Sequence, residues 1–168
     1  MRLTPIALSA AIILATVASA GFSQKPDSQI DPRSVALTQQ ADALNAQGHY
    51  SEATGLLETA LAVDPRNRSA YIGLARAAQG EKMYGEAIKF YFDALKLEPN
   101  DVNALAGQGE ALVQRGAVER ARQNLDRIHS LCRNPCPQAT QLAAAIAKGP
   151  PPAVVTAERP EPASPRHN

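Results

Sequence analysis

Apolar side chains recur along this chain at helical spacing, in pairs of short stripes, and the pairs themselves repeat. Leu37, Ala41 and Leu44 make one stripe, and Ala53, Leu57, Ala60 and Leu61 make the next. Positions three and four apart share one face of an α-helix, so each stripe predicts an amphipathic helix. The pair then recurs with a step of 34 residues, which relates Tyr50 to Tyr84, Glu52 to Glu86, Ala53 to Ala87 and Ala121, Ala60 to Ala94, Leu61 to Leu95 and Pro65 to Pro99. A period of this length marks supersecondary units that cannot bury their apolar faces alone and must stack on one another. The units run over 34–67, 68–101 and 102–135.

Punctuation fixes the helix ends. Around Gln47-Gly48-His49-Tyr50 the first helix of a pair can stop on glycine, which enters the left-handed region without strain. Lys82 holds that place in the second unit, so its turn is predicted to be more costly, while Gly116 restores glycine in the third. Pro65 and Pro99 bias the residue before them away from the helical region and end the second helix of each pair. Asp31-Pro32 supplies a cap and a first-turn proline for the first helix. The small residues Ala41 and Ala53, or Ala75 and Ala87, fall where paired helices cross. A last stripe, Ala139, Leu142, Ala143 and Ile146, predicts a seventh helix over 137–148, stopped by Gly149 and Pro150. The expected fold is all-α, three antiparallel helix pairs and a capping helix over 136–148.

The middle unit places Tyr71, Leu74, Ala75, Ala78, Ala87, Tyr91, Ala94 and Pro99 at offsets that resemble the tetratricopeptide repeat. The first unit follows with Leu37, Ala41, Leu44, Ala53, Leu57, Ala60 and Pro65 and departs at Gln40. The third supplies Leu105, Gly109, Leu112, Ala121 and Leu125 and departs at Gln108, Ile128 and Arg133. This resemblance implies a solenoid that holds a protein or peptide partner and performs no catalysis. It also implies that the first helix of each pair lines a concave surface. The exposed inner positions would be Thr38, Asp42 and Asn45, then Ile72, Arg76 and Gln79, then Ala106, Glu110 and Val113. Asp42, Arg76 and Glu110 would stand in a row, as a ligand groove or as a solvated, mutually paired face. Some members grip a terminal carboxylate with Lys and Asn side chains. The matching positions are Thr38, Asp42, Gly73, Asn103 and Gly107, among which Asn103 alone suits and no lysine occurs, so no such grip is expected. A short stack also leaves room for a homodimer through an open end.

Composition changes the picture mainly at the termini. One positive residue, Arg2, precedes an apolar run from Ile6 to Ala20 that closes on Ala18-Ser19-Ala20, the signature of a cleaved secretory signal over 1–20. The alternative, an uncleaved anchor, would need roughly 20 apolar residues to span a bilayer. The expected location is therefore outside the cytoplasm, which in a Gram-negative cell means the periplasm, with no membrane span after cleavage near Ala20. Residues 21–33 read as a leader, and 149–168 as a disordered tail with six prolines and no helical period. Loss of Arg2 leaves equal numbers of the two charge signs, which gives no electrostatic footprint for nucleic acid or an anionic surface. Arg115, Arg120, Arg122, Arg127 and Arg133 are interrupted by Glu119 and Asp126 and read as a solvated outer face, set against a weak docking surface for anions.

Both cysteines lie in Cys132-Arg-Asn-Pro-Cys136, where the third unit should end. In an exported chain the pair reads as a disulfide that fixes the turn into the capping helix. The alternatives are a metal set with His129 or an exchangeable redox pair. His49 sits in a predicted turn and His167 in the tail. No nucleophile–base grouping or phosphate-binding loop appears, so no enzyme and no cofactor are expected. On sequence grounds the expected role is an adaptor for a protein or peptide in envelope assembly, set against a redox or metal accessory or a plain spacer.

Overall fold

The computed structural model describes residues 29–132 and 136–152, and the readings of residues 1–28, of Arg133 and of residues 153–168 fall outside them. Seven helices follow one another in these residues, with no strand among them: α1 (Pro32–Gln47), α2 (Tyr50–Val63), α3 (Arg68–Gly80), α4 (Tyr84–Leu97), α5 (Val102–Gln114), α6 (Val118–Leu131) and α7 (Pro137–Lys148). Their ends follow the punctuation. Asp31 caps α1 by accepting from the Arg33 amide, Asn67 caps α3 through the Ala70 amide, and Asp101 caps α5 through the amides of Asn103 and Ala104.

The turns within the pairs obey the period. Gly48, Lys82 and Gly116 all sit at positive φ, 82°, 63° and 77°. After each, a backbone amide reaches back across the helix end: His49 to Leu44, Met83 to Ala78 and Ala117 to Leu112, at 2.7–2.9 Å. That is the six-to-one bond of a Schellman close, which satisfies carbonyls the helix itself leaves open. Lys82 takes a conformation that suits glycine, as the sequence predicts.

Packing between helices alternates. Each helix touches its sequence neighbours, and α1, α3, α5 and α7 also touch one another in series, whereas α2, α4 and α6 make no contact among themselves. The odd-numbered helices thus form an inner layer and the others an outer one, with α7 lying against both α5 and α6. Helices come close because the crossing residues are small: Ala41, Ala53, Ala75, Ala87 and Ala121 are fully buried. Glycines carry the same logic further. A Cβ on Gly107 would lie 2.3 Å from the Tyr91 ring, and one on Gly109 would lie 2.6 Å from Leu142. The chain has no tryptophan and builds its interior on these contacts and on Leu57, Leu112, Ile128 and Leu142, all fully buried.

The departures of the third unit find their reason in α7. Ile128, in place of alanine, is buried in a cluster with Leu105, Leu112, Ala139 and Leu142, where the seventh helix closes the stack. Gln108, in place of leucine, donates to the Ile88 carbonyl and accepts from Asn124, which also donates to the Leu105 carbonyl. A disulfide joins Cys132 to Cys136 across the α6–α7 turn, and Cys136 is buried against the same cluster.

Candidate functional site

Three adjoining hollows lie over the inner-layer helices. The largest, of about 490 Å³, is lined by Asp42, Asn45 and Ala46 of α1, Tyr50 of α2, Arg76, Gln79 and Gly80 of α3, and Glu110 of α5. A second, of about 250 Å³, lies between α3, α5 and α7 and adds Tyr91, Asn103, Gln138 and Gln141. The third, of about 340 Å³, runs to the C-terminal end of α7 at Lys148 and Gly149. All three share Gln79 and Glu110, so they form one groove with those two side chains at its centre.

Of the nine predicted inner positions, the structure brings five into the groove by their polar side chains: Asp42, Asn45, Arg76, Gln79 and Glu110. Ala106 reaches its floor but is buried. Thr38, Ile72 and Val113 depart from the expectation, since all three are buried. The Thr38 hydroxyl donates to the Ser34 carbonyl and accepts from Asn67 inside the α1–α3 junction. Ile72 packs with Ala75, Tyr91 and Ala104, and Val113 joins the cluster that α7 covers. The inner-position rule assumes that these sites face solvent. Here a polar network and an added helix enclose them instead.

The expected charge row is real but uneven. Arg76 meets Asp42 at 3.7 Å, an ion pair between two half-exposed side chains. Burial raises the Asp42 carboxyl above its ordinary value, and Arg76 opposes that shift. Glu110 is also pushed up by burial, with a Gln141 hydrogen bond pulling the other way. No ion pair reaches Glu110 among the described residues, and its Oε1 is buried without a hydrogen-bond partner. Asn45 Oδ1 is in the same condition, while its Nδ2 donates to the Gly73 carbonyl at 3.0 Å. Beneath them the Tyr91 hydroxyl donates to Gln79 Oε1 at 2.7 Å, and desolvation pushes that phenol up to about 12.

Three of the positions matched to a carboxylate grip are occupied otherwise. Gly73 and Gly107 are taken up by Leu57 and Tyr91, and Asn103 accepts from Gln138 at 3.0 Å. The sequence reading missed Tyr50, Gln138 and Gln141 as lining residues. Tyr50 had a signal, its 34-residue echo at Tyr84. Gln138 and Gln141 are three apart on α7, a spacing that gives them one face but does not reveal that the face meets the groove. The sulfurs of Cys132 and Cys136 are bonded to each other, and among the described residues no group of three metal-ligating side chains comes together. Among the outer arginines, Arg122 pairs with Glu119 and Arg127 donates to Asn100 Oδ1. No helix among the described residues is long and apolar enough to cross a membrane.

Residues 44–91 match the family profile of the tetratricopeptide repeat. No curated protein sequence matches the chain. Solved structures share its fold at low identity. The first TPR domain of Spaghetti (RPAP3), bound to the HSP90 peptide SRMEEVD, superposes with a TM-score of 0.63 at 22% identity, over 69% of this chain and 91% of that one. The Sgt2 TPR domain from Aspergillus fumigatus gives 0.64 at 19%, over 70% and 79%. The Yersinia enterocolitica type III secretion translocator chaperone SycD gives 0.61 at 19%, over 70% and 89%. The repeating helix pairs and this shared architecture give the described residues the fold of tetratricopeptide repeat domains, and residues 44–91 match the repeat family itself.

Proposed function

We propose that this protein is exported and holds a protein or peptide partner in its concave groove, as an adaptor in the assembly of a cell-envelope complex. One observation carries the reading: a continuous polar groove crosses α1, α3 and α5 and is closed by α7, with Asp42, Arg76 and Glu110 along it. The RPAP3 domain with a peptide bound and the SycD chaperone lend support, because the same architecture serves protein binding in both. Export rests on residues 1–20, and no catalytic step belongs to the proposal. The test is a crosslinking pull-down from the native envelope, with wild type beside D42A/R76A/E110A. A partner captured by the first and lost by the second is the expected result. Equal recovery from both would empty the groove of function. Intact mass of the exported protein checks the rest, with a start near Gly21 and a mass lower by two hydrogens for the Cys132–Cys136 bond.

A further inference from the structure

We propose that the groove selects a basic partner, an extended peptide whose arginine or lysine side chain seats on Glu110. The proposal rests on the groove reading above and adds the chemistry of the occupant. Glu110 stands where all three hollows meet. Arg76 lines two of the hollows and is engaged by Asp42 on its α1 side, Lys148 lines the third, and neither is ion-paired with Glu110 among the described residues.

Among the side chains that line the groove, the unmet hydrogen bonds have one sign. Asn45 Oδ1 and Glu110 Oε1 are both acceptors, both buried and both without a donor. The orientation of the Asn45 amide is set by the Gly73 carbonyl, which can accept from its nitrogen and not from its oxygen. A buried acceptor without a partner costs roughly 1–3 kcal/mol, so the groove favours a ligand that brings donors. Arginine brings five N–H groups and lysine three, with the charge that a carboxylate requires. The terminal torsion of a glutamate is broad, so turning Oε1 toward the groove costs little. An acidic ligand meets the opposite situation, a half-buried carboxylate that it can only repel.

The experiment titrates three pools of nine-residue peptides, blocked at both ends, into the full-length 15N-labelled protein. The pools carry random flanks around a central Arg, Gln or Glu, and the backbone amides of Gln79, Gly107 and Glu110 report binding. The central-Arg pool should shift these amides at a concentration at least tenfold lower than the central-Gln pool, and E110Q should erase that difference while leaving the central-Gln response in place. Equal response to Arg and Gln, or a preference for Glu, overturns the basic occupant while the groove reading stands. No response to any pool overturns both. Arg159 and Arg166 of the chain's own tail offer the same chemistry. If R159Q/R166Q moves these amides without added peptide, the seat belongs to the tail and the assignment to a partner falls.

Discussion

Two junctions in this stack occupy the same place in the repeat and are built from different chemistry. Where α1 meets α3, Ser34 donates to the Ala60 carbonyl at 2.7 Å, and the Asn67 amide donates to both Ser34 Oγ and Thr38 Oγ1, at 2.8 and 2.9 Å. One repeat later, where α3 meets α5, the equivalent positions are Arg68, Ile72 and Asp101. Arg68 Nε lies 2.9 Å from Asp101 Oδ2, and Ile72 is apolar core. The first junction is a neutral, fully buried network and the second is a partly buried ion pair beside an aliphatic side chain. Each set is self-consistent: an asparagine with two hydroxyl acceptors, or an aspartate with a guanidinium. Repeat register thus fixes that a polar coupling exists at this place, whereas the neighbours decide which one.

Removing the central residue of each junction should separate them most widely. N67A loses the α3 cap and leaves a buried cavity among hydroxyls, which should cost about 2–3 kcal/mol from the cap and the broken network together. R68A leaves Asp101 still accepting from the amides of Asn103 and Asn103's neighbour Ala104, so it should cost about 1–2 kcal/mol. Urea unfolding at low and high salt distinguishes the mechanisms. The R68A penalty should shrink as salt screens the wild-type pair, and the N67A penalty should not move. A salt-dependent N67A penalty would break the contrast.

The same comparison extends to two glycines that each receive a tyrosine ring. A Cβ on Gly107 would meet Tyr91 at 2.3 Å, and one on Gly80 would meet Tyr50 at 2.2 Å. Tyr91 is 3% exposed and held by Gln79, so its ring has nowhere to go. G107A should cost about 1–3 kcal/mol by overpacking. Tyr50 lines the groove and is only partly buried, so its ring can yield more readily and G80A should cost clearly less and alter the groove instead. Melting temperatures rank the two. An equal loss would mean that Tyr50 is as confined as Tyr91.

These pairs show what the sequence could and could not convey. Helix number, the left-handed turns at Gly48, Lys82 and Gly116 and the small crossing residues were legible because each is a local requirement repeated at one period. The site was legible in part. Asp42, Arg76 and Glu110 stand at one repeat position, which the resemblance to the tetratricopeptide repeat assigns to the inner face, whereas the burial of Thr38 depends on Asn67, 29 residues away, and that of Val113 on a helix outside the repeat pattern. Lys82 offers a test at the local level. K82G should stabilise the chain by about 0.5–1 kcal/mol, because a side chain in the left-handed region carries strain that glycine avoids. Gly48, already relaxed, should lose a similar amount as G48A.

The smallest effect separates stability from recognition at Glu110. Burial raises its folded-state pKa above the ordinary 4.5, so the folded chain holds this proton more tightly than the unfolded chain does. Stability therefore rises as pH falls through that raised value, and the penalty is fully present above it. Asp42, Arg76, Tyr91 and Lys148 line the same groove and are unaltered in sequence by a replacement of Glu110. E110Q removes the penalty, so its melting point should exceed that of wild type at pH 7. The gain should fade as pH falls and be gone below about 4.5, where the glutamate is protonated in both states. A variant that gains stability at neutral pH while losing its preference for arginine peptides would mark Glu110 as a residue kept for binding at some cost to the fold. A loss of stability at pH 7 would instead place Glu110 among the side chains that hold α5 and α7 together through Gln141.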